Sequence, residues 1–396
     1  MARAAAILAL AALVLVAGVA PSDAQRKKRR APVGTVEAPI RITASGKQPN
    51  VLVDRNRTAH VVWTEEGGDA GPDLLRYCRL PRGTRRCDQQ AALFPDQPGT
   101  GNSPSFNEDF DGARVLRVGG QLVLLTHRYP NVVPKPDGTA SSDATYAWTS
   151  SDNGATWTGP QLIGASSVSG GALANGDVIG VISDTKTGGT YFSALRLGGY
   201  SGREANLAVG PDQAYSGSLA RSAGRFVAAF ADLGARTIVR FGPALGGDPN
   251  DPAQWSQTAF AGEEPRLASG PDGVFLISRK VGRPYTVRRI SGAGRVGAAR
   301  RVSSGGDELF RDLYQDASGR LFAGWIARSA PRAQIRVRSS GNGRNWTDRL
   351  VLVRGPYGMS NLDLGASGAG RGVAVYQRGG PGSREGAIFA VRFRLR

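Results

Sequence analysis

The chain has 396 residues, with 50 lysines and arginines against 32 aspartates and glutamates, for a formal net charge of +18. Its 55 glycines and 23 prolines, with few amphipathic helical windows, favour one large all-β unit. Only two histidines and two cysteines are present, which does not support a histidine-rich zinc site, and the lack of a G-x-S-x-G elbow removes the main warrant for a serine hydrolase.

Arg3, the apolar run Ala4 to Ala20 and the small residues Ser22-Asp23-Ala24 before Gln25 have the three regions of a secretory signal over residues 1–24. Export to the extracellular side is therefore expected. The alternative, an uncleaved membrane anchor, has an apolar core that is short for a span. Residues 25–34 form a basic leader containing Arg26, Lys27, Lys28, Arg29 and Arg30, expected to be solvated and disordered. The leader is also placed to contact anionic cell-wall polymers or a membrane surface, an attraction that salt weakens. Nucleic acid is not an expected partner, since the other basic residues are spread without interleaved aromatic platforms. Neither cysteine follows the signal, so the chain lacks the residue for lipoprotein anchoring. Cys78 and Cys87 flank an expected hairpin, and in an exported chain the pair reads as a disulfide.

Over residues 35–396 one theme repeats, a polar or Gly-containing turn followed by an apolar strand. The copies are His60–Trp63, Leu122–Leu125, Val178–Ile182, Phe226–Phe230, Val274–Ile277, Leu321–Trp325 and Val373–Tyr376. Their spacing of about fifty residues suits one four-stranded propeller blade each. Seven copies predict a seven-bladed β-propeller, each blade running from inner to outer strand. An open ring leaves unpaired edges, so Val36 to Thr43 is expected to close it as the outer strand beside Ala387 to Leu395. Gly292-Ala293-Gly294-Arg295-Val296-Gly297 matches G-x-G-x-x-G but lies between two strand-like runs and opens no helix, so it reads as a hairpin turn.

The most specific stretch is Ser150-Ser151-Asp152-Asn153-Gly154-Ala155-Thr156-Trp157. Asn153-Gly154 supplies the positive φ angles of a tight turn. Asp152 is placed to accept the turn's own N–H groups, and Trp157 to fold back as an apolar plug. A second copy, Ser339 to Trp346, keeps the serine, Gly343 and Trp346, with Gly341 at the aspartate position. This is the S-x-D-x-G-x-T-W Asp-box, and the chain resembles the Asp-box propellers of the sialidase (neuraminidase) superfamily. Ser150, Asp152, Gly154, Trp157, Ser339, Gly343 and Trp346 are then scaffold residues. Asp-box turns join third and outer strands, so chemistry is expected on the opposite face. Sialidases have six blades, which leaves six blades plus an N-terminal appendage as the alternative architecture.

The resemblance extends from about residue 111 to the C-terminus and implies site residues in the family's order. Arg114 stands where the first arginine of the carboxylate clamp falls, Asp143 at the acid/base, Glu264 at the glutamate, Arg279 and Arg332 at the second and third arginines, and Tyr357 at the nucleophile. Three guanidinium groups would hold the substrate carboxylate. A tyrosine deprotonated by a glutamate attacks the anomeric carbon without the repulsion that a carboxylate nucleophile would meet, and Asp143 would protonate the leaving oxygen. The implied function is release of terminal sialic acid, or of another acidic sugar, from glycoconjugates by a monomer needing no cofactor or metal. Taken singly, each arginine also reads as a solvated side chain and Tyr357 as a packing tyrosine. The rival function is a non-catalytic propeller that binds glycans or proteins at the cell surface.

Overall fold

The computed structural model describes residues 33–65, 74–93, 112–128, 133–134, 140–141, 144–184, 189–207, 214–232, 234–244, 246–270, 273–280, 282–379 and 385–396. The signal segment, the basic leader up to residue 32 and Asp143 lie outside them.

The chain forms seven antiparallel sheets arranged as a propeller. Blades 1 to 6 have four strands each and span residues 47–93, 114–164, 171–206, 214–261, 263–301 and 308–356. Blade 7 takes three strands from residues 359–395 and closes with Gly34–Val36 and Ile40–Thr43, both antiparallel to Ala387–Leu395. The N-terminal segment therefore closes the ring as expected. Residues 47–93 are a blade within that ring, so the six-bladed alternative falls.

The seven apolar runs are the second strands of their blades, buried on both faces because each is sandwiched between neighbouring blades. The core is correspondingly divided into apolar layers, each shared by two adjacent blades. Trp148 and Leu75 pack between blades 1 and 2, Phe192 and Phe230 between 3 and 4, Trp325 and Ile277 between 5 and 6, and Val375 and Val61 between 7 and 1. Burial of these large side chains contributes roughly 1.5–3 kcal/mol each.

The expected disulfide joins Cys78, on the third strand of blade 1, to Cys87, two residues before the outer strand, with Cα atoms 5.5 Å apart. Arg392 of blade 7 also grips this hairpin, donating to Thr84 O at 2.7 Å and Pro81 O at 2.6 Å. Gly292 to Gly297 is a hairpin turn: Ser291 N–H donates to Arg295 O at 3.0 Å, and Ile290 bridges Val296.

Both Asp-box turns join a third to an outer strand. Asp152 accepts from Ala155 N at 3.0 Å, Thr156 N at 2.9 Å and Ser150 Oγ at 2.7 Å, while Ser150 Oγ accepts from Gly154 N at 2.8 Å. These donors hold the Asp152 carboxyl well below the usual carboxylate range, with Thr156 first among them. In the second copy the acceptor is not lost with Gly341. Asn342 Oδ1 takes Arg344 N at 2.9 Å and Asn345 N at 3.0 Å, and Ser340, not Ser339, accepts from Gly343 N at 2.9 Å. An amide oxygen does the work of the carboxylate one residue later in the turn. The two turn glycines also meet the preceding blade: a Cβ at Gly154 would stand 2.0 Å from Tyr77 Oη, and one at Gly343 2.5 Å from Phe275 Cε1. Trp157 packs edge-on against the same Tyr77, with centroids 4.8 Å apart. The Asp-box thus fastens one blade to the next.

Candidate functional site

Antiparallel order places the starts of all inner strands, and the loops leaving all second strands, on the face opposite the Asp-box turns. Around the central channel, Asn50, Arg114, Ser218, Arg266, Asp312 and Asp363 occupy one equivalent position on six inner strands, each paired to the matching residue of its second strand. Four of them accept a backbone N–H from the next blade: Asn50 Oδ1 from Val115 at 2.9 Å, Ser218 Oγ from Leu267 at 3.0 Å, Asp312 Oδ2 from Leu364 at 2.8 Å and Asp363 Oδ2 from Val51 at 2.8 Å. The two arginines donate instead, Arg114 to Ser169 O at 2.8 Å and Arg266 to Gly217 O at 2.9 Å. These side chains bolt blade to blade. Asp312 and Asp363 lie close enough to interact, and burial followed by the neighbouring carboxylate raises Asp363 above the usual carboxylate range; burial also raises Asp312. Arg114 and Arg266 partly offset the shift at Asp363.

Glu264 is the second residue of the inner strand of blade 5, at a bulge where its φ is 51°. Gln48 and Asn361 adopt φ values of 51° and 48° at the equivalent bulges of blades 1 and 7, so this conformation belongs to the repeat rather than to a strained catalytic residue. The bulge brings Glu264 to Arg279, which ends the paired second strand, with Nε–Oε2 at 3.2 Å. Tyr285 Oη donates to Glu264 Oε2 at 2.8 Å, and the Arg279 guanidinium lies 5.1 Å from the Tyr285 ring centroid. Tyr285 is fully buried, and that burial pushes its hydroxyl pKa upward. Arg311 from blade 6 donates to Glu264 O at 2.7 Å; its enclosure, and then the charge of Arg266, lower it to about 10.

Outward from Arg279 opens a cleft of about 250 Å³ lined by Arg279, Lys280, Arg283, Arg288 and Arg301, with Ser278 and Thr286. No carboxylate lines it. Arg288 lies 5.3 Å from the Phe260 ring centroid, and its Nε is buried without a hydrogen-bond partner among the described residues. Arg301 is held by Ser303 O at 2.8 Å and by Ser304 O.

The residues implied by the sialidase resemblance are distributed around this face. Glu264 and Arg279 meet. Arg114 sits at the channel and donates to Ala113 O and Ser169 O. Arg332 is exposed at the start of the third strand of blade 6. Tyr357, between blades 6 and 7, donates to Asp307 Oδ2 at 2.9 Å and lies beneath Arg328, 4.7 Å from its ring centroid. The tyrosine hydrogen-bonded to Glu264 is Tyr285. Among the described residues, no group of three or more His, Cys, Asp or Glu side chains is placed to hold a metal ion. Sequence reasoning missed Tyr285, the Asp312–Asp363 pair and the basic cleft. The cleft had a visible signal in Arg279-Lys280, Arg283, Arg288 and Arg301 around one hairpin; Tyr285 depends on the bulge that turns Glu264 toward it, and the Asp312–Asp363 pair on the contact between blades 6 and 7.

No protein-family model matches the sequence, and no curated protein matches it. Solved structures do. A lectin of Burkholderia pseudomallei is 12% identical with a TM-score of 0.56, over 89% of this chain and 97% of that one. An α-L-arabinofuranosidase of Fusarium graminearum is 10% identical with a TM-score of 0.50, over 90% and 98%. A sialidase of Trypanosoma rangeli is 10% identical with a TM-score of 0.42, over 91% of this chain but only 60% of the sialidase. The likeness is one of fold. This propeller architecture is shared by glycoside hydrolases and a lectin, and the site must be argued from its own residues.

Proposed function

We propose that this protein is an exported propeller that binds acidic glycans on its channel face without hydrolysing them. The observation that carries the reading is the blade 5 cleft, where Lys280, Arg283, Arg288 and Arg301 stand with no carboxylate in the lining, beside Arg279, which is paired with Glu264. Guanidinium groups take carboxylate or sulfate through charge-assisted, partly bidentate hydrogen bonds, and a volume near 250 Å³ approaches the lower end of small-ligand pockets, about 300 Å³. The carbohydrates named for the fold neighbours make a sugar the fitting carrier of that acid. The disulfide suits an oxidising compartment, in keeping with the signal segment, and the Arg26–Arg30 leader would add a salt-sensitive hold on anionic wall polymers.

Two contacts argue against the tyrosine-nucleophile chemistry. Glu264 is engaged by Tyr285, which is buried, and Tyr357 is engaged by Asp307. One observation favours the hydrolytic reading: Glu264 and Arg279, matched by their order in the sialidase family, do come together. Completing that site would need Asp143, Tyr357, Arg114 and Arg332. Purified protein incubated with a fluorogenic α-sialoside separates the two readings. The binding account expects no turnover above buffer; turnover abolished by Tyr357→Phe would overturn it in favour of the hydrolase.

A further inference from the structure

We infer that a second saccharide site lies on the opposite face, in the cleft between blades 3 and 4. The cleft has a volume of about 740 Å³, within the range of small-molecule sites of about 300–1,000 Å³. It is built by the hairpin turns of blades 3 and 4 and by the two loops that join their third and outer strands. Those loops occupy the place that Asp-boxes fill in blades 2 and 6. Here the blade 4 loop, residues 242–255, is longer, and the two loops leave a concavity where the other two blades have a compact turn.

Three cross-blade contacts preform the walls. Arg203 Nη2 pairs with Asp248 Oδ2 at 2.7 Å, Asn250 Oδ1 accepts from Ala194 N at 3.0 Å, and Asn175 Nδ2 donates to Gly224 O at 2.6 Å. Ser201 is anchored as well, donating its N–H to Ile163 O at 3.0 Å, which limits the movement of its neighbour Tyr200. Tyr200 lines the cleft and is 44% exposed, the only large hydrophobic side chain so exposed among the described residues. A half-exposed aromatic side chain on an anchored loop suits the C–H face of a pyranose or furanose ring. Around it stand planar polar groups matched to ring hydroxyls: the ion-paired Asp177 and Arg196, Arg203, and the Nδ2 group of Asn250. The alternation of one aromatic platform with amide, carboxylate and guanidinium groups favours a sugar over a purely apolar ligand, which would strip water from those polar groups without replacing its hydrogen bonds.

Gly199 provides a direct probe. Its backbone is outside the left-handed region and a Cβ there would meet nothing within 4 Å, so Gly199→Leu fills the cleft without disturbing the turn. Saturation-transfer NMR with a panel of galactose, glucose, mannose, fucose, xylose, arabinose and N-acetylglucosamine tests the inference on the full exported chain. At least one sugar should give a signal that drops five-fold or more in both Tyr200→Ala and Gly199→Leu and persists in Lys280→Glu/Arg283→Glu. No signal from any sugar, or a signal unchanged by both cleft variants, overturns the inference. A signal lost only in Lys280→Glu/Arg283→Glu also overturns it, placing the sugar in the blade 5 cleft and leaving the proposed function standing.

Discussion

Asp363→Asn tests whether the channel's carboxylate pair is a proton-holding bolt. Asp363 Oδ2 receives Val51 N at 2.8 Å and Asn50 Nδ2 at 3.0 Å, and Asp312 Oδ2 receives Leu364 N at 2.8 Å. Burial and the Asp312 charge push Asp363 up to about 8. The native state therefore keeps a proton that the unfolded chain releases near the ordinary carboxylate value of about 4. With more protons bound in the native than in the unfolded state, stability is greatest on the acid side and falls as pH rises, by about 1.4 kcal/mol per pH unit for one whole proton, until the folded pKa is passed. Asparagine retains an oxygen for Val51 N–H and cannot titrate. In urea denaturation followed by tryptophan fluorescence, the variant should gain on wild type by up to about 1.4 kcal/mol per pH unit between roughly pH 5 and 8, with the gap constant beyond that. A gap that does not change with pH, or a wild type that gains on the variant as pH rises, would refute the reasoning.

Cys78→Ala/Cys87→Ala opens a loop of sequence separation 9 and should cost about 2–3 kcal/mol, read as a lower denaturation midpoint; equal midpoints for variant and wild type would show that Arg392 and the Arg79–Asp88 pair hold the hairpin without the disulfide. Gly154→Ala forces a Cβ against Tyr77 Oη at a φ of +87°, so melting should fall through both backbone strain and displacement of Tyr77, whereas Gly199→Ala should melt like wild type. Trp148→Ala empties a fully enclosed position between blades 1 and 2 and should destabilise by about 3–5 kcal/mol. Deleting residues 33–43 exposes the edge of Ala387–Leu395, and size-exclusion chromatography should then show association of chains that the full protein does not show.

The architecture was legible because each blade repeats one local rule. An apolar run buried on both faces marks every second strand, and the Asp-box at Ser150 identifies which strands are third and outer. The closing strand and the Cys78–Cys87 pair followed from edge chemistry and spacing. The second Asp-box was harder to read, because Asn342 replaces the carboxylate at a shifted position that the spacing of Ser339 and Gly343 hides. Glu264 and Arg279 were named from the order of the sialidase family, and they meet because two paired strands end together, Glu263 standing opposite Arg279 in register. Tyr285 and the Asp312–Asp363 pair were not legible, since their contacts depend on how consecutive bulges and blades stack. Their place is nonetheless visible once Pro49-Asn50-Val51, Pro265-Arg266-Leu267, Arg311-Asp312-Leu313 and Leu362-Asp363-Leu364 are set side by side as one repeat.

Acidic-glycan capture by the blade 5 cleft is tested most directly by fluorescence polarisation of a labelled oligogalacturonide and a labelled sialyllactose. Wild type, Lys280→Glu/Arg283→Glu and the charge-matched Arg221→Glu/Arg344→Glu, whose exposed side chains lie outside the cleft, should be compared at low and physiological salt. Binding of at least one probe that weakens with salt, falls at least tenfold in the cleft variant and stays within twofold of wild type in the matched control is the predicted result. No binding of either probe would contradict the account, and equal loss in both variants would do so by reducing the interaction to the general positive charge of the chain.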